Sequence, residues 1–363
     1  MPAEGTLTQE EDPKRQRSRV GTPSDTAAMS EPAHLDIVSL PPNGHVHGIY
    51  NLINPQIGTT RAGKPYLKCL LRDATGEIVC RKWTFDEGAL ADISATGFVW
   101  IAGHTQVYND QIQLIIEDIR SVEVSDADLA RLLPTTVRDI DEMFAEVKEI
   151  LGSLNHPAIK ALAAEYLADE TLMTSFRRAP AAVSMHHAWI GGLLEHTLQL
   201  LKLAELMLPL YPPPSGLNRD IVLMGLFLHD LGKTAELTWE KGFDYTPDGN
   251  LIGHIVRGAI WLQFKAAMAG KNSGHKLPPD ALRVLQHIIL SHHGQAEYGA
   301  AKLPSTPEAI FVSQLDNLDA KTQMALTTAR TNHVGGETPG QFTEKIWALD
   351  TRLFRPDPLA EQP

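Results

Sequence analysis

LFLHDLGK, residues Leu226 to Lys233, sets a histidine and an aspartate side by side at the end of an apolar helix. Upstream, Ile221, Met224, Gly225 and Leu228 recur at helical spacing, and Gly232 stands where a helix stops. His229 and Asp230 therefore fall on the last helical turn. A buried carboxylate beside an imidazole is costly unless a metal or a hydrogen-bonded partner compensates it. The pair calls for partners elsewhere in the chain.

Those partners sit on neighbouring helices. The periodicity predicts one long helix from Met185 to Leu208, with Leu193, His196, Leu200, Leu203 and Met207 on one face. His196 points inward from that apolar stripe. After Pro307 a further helix sets Ala309, Val312, Leu315 and Asp316 on successive turns. A lone core histidine is by default structural. Here a histidine, a His-Asp pair and a distant aspartate, from three antiparallel helices, would supply four N/O ligands to one metal.

The bounds agree with a chain of two folded parts. At 363 residues it is long for one core. Hydrophobic content of 43% and charged content of 21% are those of a globular protein, and no apolar run approaches the ~20 residues of a membrane span. No signal-peptide pattern opens the chain, and two cysteines, Cys69 and Cys80, make no disulfide framework. The expectation is a soluble cytoplasmic protein with no membrane partner. A net charge of −12 excludes a protein that coats nucleic acid through its overall charge, so any nucleic acid binds in a local groove.

Residues 1–33 are polar and without hydrophobic period and are expected to be a disordered tail. From 34 to 124 the pattern changes to five short alternating segments, HVHGIYNL, PYLKCLLRD, EIVCRKW, GFVWIAGHTQVY and QIQLIIEDI, separated by turn residues. They predict a small closed barrel similar to an OB-fold. Such a barrel offers a groove in which bases stack on aromatic rings while cations follow the backbone. Tyr66, Trp83 and Tyr108, with Arg61, Lys64, Arg81 and Lys82, are the candidates. The same aromatic residues would otherwise fill the barrel core.

Residues 125–180 read as a helical connector, with Ile140, Phe144, Val147 and Leu151 on a core-facing stripe. Arg177, at its end, is a candidate phosphate ligand or a surface ion-pair partner. LTWEKGFDYT, residues 237–246, predicts a β-hairpin beside the His-Asp pair, and FTEKIWALDTRLF, residues 342–354, predicts a final helix. Residues 356–363 form a Pro-containing tail.

The order His196, His229-Asp230, Asp316 resembles the HD superfamily of metal-dependent phosphohydrolases, whose fold is an all-α bundle. Together with the barrel, the segments HHAWIGGLLEHT, HDLGK, GNLIGHI, LSHHG and LDNLDA resemble the YhaM-type 3′-to-5′ exoribonucleases. The likeness spans about His34 to Arg355. It implies an all-β OB-fold barrel followed by an all-α HD domain over 181–355. It also implies single-stranded RNA as substrate, with single-stranded DNA as an alternative, and a divalent metal cofactor. Manganese is the expected ion, with cobalt, iron or zinc as alternatives.

Carried over by position, His196, His229, Asp230 and Asp316 would hold a first metal. Asp230, His254 and His292, with His293, would hold a second. His186 and His187 are expected to line the substrate cleft. Asp230 and Lys233 are the catalytic candidates, Lys233 either reaching the phosphate or pairing at its helix terminus. No Gly-rich phosphate loop is present, which disfavours ATP hydrolysis. The competing readings are an HD phosphohydrolase acting on nucleotides or cyclic dinucleotides, and a non-catalytic strand-binding protein with a structural metal. Oligomeric state is not legible.

Overall fold

In the computed structural model, residues 34–108, 111–183, 187–212, 214, 216–330 and 341–359 are described. The amino-terminal tail, Asn109, Asp110 and His186 lie outside them.

Five strands close into a barrel: β1 (His45–Thr59), β2 (Pro65–Arg72), β3 (Glu77–Trp83), β4 (Phe98–Tyr108) and β5 (Gln111–Ser121). Their order around the barrel is β1-β2-β3-β5-β4, antiparallel except where β3 meets β5, which is the OB-like arrangement the alternating segments predict. Alternation does the sorting. Leu67, Cys69 and Leu71 on β2 and Ile78 and Cys80 on β3 point into the core, and Cys69 and Cys80 are register partners with free thiols. Asp73 closes the turn after β2. Its carboxylate is buried and accepts from the amides of Ile37, Thr75 and Gly76 at 2.7–3.0 Å. Burial alone would raise its pKa, but these bonds and His34 hold it below the ordinary carboxylate value.

The rest is helical. A one-turn α1 (Leu90–Ile93) bridges β3 and β4; then come α2 (Asp126–Leu132), α3 (Ile140–Gly152), α4 (Pro157–Leu167) and α5 (Glu170–Arg178). On α3 the buried stripe is Met143, Val147 and Leu151, so the core-facing side is rotated slightly from Ile140 and Phe144, which are half-buried. The bundle continues with α6 (Gly192–Met207), α7 (Arg219–Leu228), α8 (Lys233–Glu236), α9 (Pro247–Leu251), α10 (Gly253–Ser273), α11 (Pro279–Ser291) and α12 (Pro307–Arg330). Every residue of α7 from Asp220 to Leu228 is buried, which makes it the central helix.

Two expectations fail here. The helix carrying His196 starts at Gly192, not Met185, because His187 takes a left-handed backbone (φ 47°) and Gly191 another (φ 81°), turning the chain before the helix begins. Residues 342–354 form no helix. Asp350, also left-handed (φ 53°), reverses the chain, and Phe342 pairs with Phe354 and Ile346 with Thr351 as extended backbone.

The expected hairpin is present as β6 (Leu237–Thr238) and β7 (Asp244–Tyr245). It joins the barrel to the bundle. Phe243 from the hairpin packs with Phe98 of β4 and with Leu132 and Leu133 after the barrel. The Asn51 amide donates to the Lys241 carbonyl at 3.1 Å. Gly97, at φ 77°, lets the two backbones meet: a Cβ there would lie 2.2 Å from the Lys241 carbonyl oxygen.

Candidate metal centre

Five elements build the centre around Asp230. The turn between α7 and α8 supplies His229 and Asp230, α6 supplies His196, α10 supplies His254, and the end of α11 supplies His292 and His293. Asp316 comes from α12. Asp230 Oδ2 lies 3.4 Å from His229 Nε2 and 3.7 Å from His196 Nε2, and Asp316 Oδ1 lies 3.3 Å from His196 Nε2 and 3.9 Å from His229 Nε2. The other carboxylate oxygen, Oδ1, lies 3.4 Å from both His254 Nε2 and His292 Nε2. His293 also offers a ligand atom to this second group. Each oxygen of Asp230 thus faces its own set of imidazoles.

These separations are too long for hydrogen bonds. Those at 3.3–3.4 Å match the edge of a coordination polyhedron, in which donors about 2.0–2.2 Å from one ion lie roughly 3–3.5 Å apart, and the 3.7 and 3.9 Å separations on the His196 and His229 side are longer than such an edge. The Nε2 atoms of His229, His254 and His292 and the Oδ1 of Asp230 are buried without a hydrogen-bond partner, a costly state that a bound cation removes. The opposite ring nitrogens are all engaged. His229 Nδ1 bonds the Leu226 carbonyl at 2.7 Å, His292 Nδ1 the Ile289 carbonyl at 2.8 Å, and His293 Nδ1 the Tyr298 carbonyl at 2.7 Å. His254 Nδ1 meets Glu236 at 2.5 Å and His196 Nδ1 meets Asp319 at 2.7 Å. An acceptor at Nδ1 holds the proton there and leaves the Nε2 lone pair for a metal. The residues present fit a divalent cation on each side of Asp230.

Around Asp230, His292 and His293 the electrostatics favour the same state. Burial opposes charge on Asp230, yet Lys233 and His229 hold its pKa well below the ordinary range, so it is a carboxylate. Burial, with His292 and His254 alongside, pushes His293 down to about 3, and burial lowers His292 too; both are neutral imidazoles, the ligating form. Burial would also lower His196, but the Asp316 carboxylate beside its Nε2 and the Asp319 carboxylate that accepts from its Nδ1 overcome it and push its pKa up to about 9. A cation entering the His196 side displaces that proton. Lys233, itself buried, donates to Asp230 Oδ2 at 2.7 Å.

Two residues of the centre escape a search for ligands. Asp319 lies three residues past Asp316 on α12 and orients His196; Glu236 lies three past Lys233 and orients His254. That i, i+3 spacing is their sequence signal. Glu236→Gln is expected to weaken cation affinity at the His254 side about 10- to 100-fold while the other side keeps its own. A calorimetric titration with Mn2+ would resolve the two classes, and unchanged binding would remove Glu236 from the centre.

The remaining candidates are spread over the molecule. His187 does not line an open cleft: it is 1% exposed, because its left-handed turn folds the ring inward, where its Nε2 meets Asp319 at 3.0 Å. Arg177 is paired with Asp141 and lies 5.3 Å over the Phe144 ring. On the barrel, Tyr66 and Trp83 face each other across β2 and β3 with ring centroids 5.1 Å apart. Arg81 lies 6.0 Å from the Trp83 ring and 5.8 Å from Tyr108. Trp83 is 48% and Tyr108 56% exposed, and Tyr66 is half-buried, so these rings are not barrel core. Arg61 and Lys64 are exposed in the β1–β2 turn. The Lys82 ammonium bonds the Glu117 carbonyl.

A closed OB-like barrel ahead of a helical bundle built around a His-Asp pair defines an HD-domain hydrolase with an added barrel module, and the HD-domain family model matches residues 193–321. The 3′-5′ exoribonuclease YhaM of Geobacillus sp. (strain WCH70) is 35% identical over 303 residues, which cover 82% of this chain and 87% of that relative. The chain belongs to the YhaM 3′-5′ exoribonuclease family. Among solved structures, it is similar to the second OB-fold domain of replication protein A from Methanococcus maripaludis, at 18% identity and a TM-score of 0.21, covering 26% of this chain and 98% of that one. It is also similar to a replication protein A heterotrimer bound to ssDNA, at 17% identity and a TM-score of 0.18, covering 22% and 59%. The barrel assignment itself rests on the strand order.

Proposed function

We propose that this protein is a metal-dependent exoribonuclease that shortens single-stranded RNA from its 3′ end, with single-stranded DNA as a secondary substrate and Mn2+ as the working ion. The observation that carries the reading is the divided carboxylate of Asp230, one oxygen toward His196 and His229 and the other toward His254 and His292, in a chain of this family. His196, His229, Asp230 and Asp316 would hold one ion, and Asp230, His254, His292 and His293 the other. Divalent ions held by these residues would supply Lewis-acid activation of water, whose pKa coordination can lower from about 15.7 to ~7, and positive charge for the phosphoryl group.

The chain's own groups do the rest. Asp319 and Glu236 fix the tautomers of His196 and His254. Lys233, held 2.7 Å from Asp230, places a buried positive charge beside the site, where charge grows on the non-bridging phosphate oxygens. The exposed rings of Trp83 and Tyr108, flanked by Arg81, stack bases of an extended strand and contain no wedge or motor to open a duplex. Free thiols at Cys69 and Cys80 suit a reducing cytoplasm.

RNA labelled at its 5′ end and incubated with the protein and Mn2+ is expected to give a ladder of shortening labelled strands that stops at stable duplex. Early release of the label as mononucleotide, or cutting of a circular RNA, would refute the polarity.

A further inference from the structure

His293 also lines a cavity of about 270 Å3, between the turn that follows α11 and one side of α12. The cavity and the metal centre share His293, which belongs to the Asp230, His254, His292 cluster. Helix α12 divides its faces between them. Val312, Leu315 and Asp319 are buried toward the bundle, whereas Ser313, Asn317 and Lys321, at i, i+4 and i+8, line the cavity together with Gln314. The opposite wall is the short helical turn Ala296–Tyr298, tied to the centre by the bond from His293 Nδ1 to the Tyr298 carbonyl. Gly294, at φ 77°, lets this turn lie against α12: a Cβ there would come within 2.8 Å of Ser313 Oγ. The Tyr298 side chain stays 55% exposed at the cavity.

We propose that this cavity receives the terminal nucleoside of the strand, so that the chemical class it takes is a nucleoside 5′-monophosphate. The proposal rests on the phosphodiesterase reading above and says where the departing nucleotide sits. The space falls just below the range of drug-sized sites, about 300 to 1,000 Å3, and suits one nucleoside rather than two. Tyr298 offers a ring on which any base can stack. The amides of Gln314 and Asn317 each present both donors and acceptors, so they engage a sugar or base edge without selecting one base. Lys321 adds a cation at the rim. Binding that is firm but indifferent to base identity is what removal of successive nucleotides requires.

The test is calorimetric titration of the full chain with 5′-AMP and, separately, with inorganic phosphate. Wild-type protein is expected to bind 5′-AMP at least about tenfold more tightly than phosphate. Tyr298→Ala and Asn317→Ala should each weaken 5′-AMP binding about 5- to 30-fold with phosphate affinity little changed, and Tyr298→Phe, which keeps the ring, should restore it. Both side chains are exposed, and circular dichroism would verify that the variants fold. Equal affinity for 5′-AMP and phosphate, or folded alanine variants that bind 5′-AMP like wild type, overturns the proposal. RNA hydrolysis measured in parallel separates the two readings. Shortened RNA with unaltered 5′-AMP binding in the variants sinks the nucleoside site alone, whereas lost 5′-AMP binding with no shortening by wild type sinks the nuclease reading and leaves the site.

Discussion

Asp230→Ala is expected to lower RNA hydrolysis at least ~10³-fold, because the substitution removes the one carboxylate that faces both sets of imidazoles. Metal stabilisation of a phosphoryl transition state is worth several kcal/mol, and each ~1.4 kcal/mol is a factor of ten in rate. The substitution has a second consequence, in stability. Lys233 is buried and its ammonium has Asp230 as its acceptor, so the alanine variant leaves a buried cation unpaired, a defect of roughly 3–5 kcal/mol. The two effects separate in the double variant Asp230→Ala/Lys233→Met, which should recover much of the thermal stability and none of the activity. Rates come from the labelled-strand assay with Mn2+ and stability from thermal melts. Activity within a few-fold of wild type in Asp230→Ala would eliminate the shared-carboxylate arrangement.

Trp83→Ala combined with Tyr108→Ala should weaken binding of a long single strand at least ~30-fold, since base-on-ring stacking contributes about 1–3 kcal/mol per base. Both rings are exposed on the barrel beside Arg81, so the substitutions take nothing from the core. Hydrolysis of a dinucleotide, which has too few bases to occupy both the cleavage site and the two rings, should fall far less. Deleting the barrel is the poorer experiment. Phe98 of β4 packs against Leu132, Leu133 and Phe243, and a truncation at residue 124 strips that seam and exposes apolar surface on the bundle. Fluorescence anisotropy with a labelled ~20-nucleotide RNA measures the effect, and wild-type affinity in the double variant would assign the barrel another task.

Local pattern made much of this molecule legible before any coordinates. Period-two alternation in PYLKCLLRD and EIVCRKW is enough to specify β2 and β3, since a strand buried on one face leaves no other register. The apolar run before His229 specifies α7, and the Ala309–Val312–Leu315 period specifies α12. The same periodicity misplaces the start of α6 and turns residues 342–354 into a helix. In both places a non-glycine residue in left-handed backbone, His187 or Asp350, redirects the chain, and hydrophobic period carries no trace of it.

By itself, then, the sequence determined which residue types are available and which elements carry them: a barrel of five strands, a helical bundle, and histidines and aspartates on its helices and at their ends. Tertiary structure alone decided how they are oriented. That the oxygens of Asp230 face different imidazoles, that Asp319 and Glu236 stand behind His196 and His254, and that His293 is shared between the metal centre and a cavity depend on contacts that reach up to 123 positions along the chain. Such contacts depend on how helices pack against one another. Packing is set by the fit of whole side-chain surfaces, which no local spacing encodes.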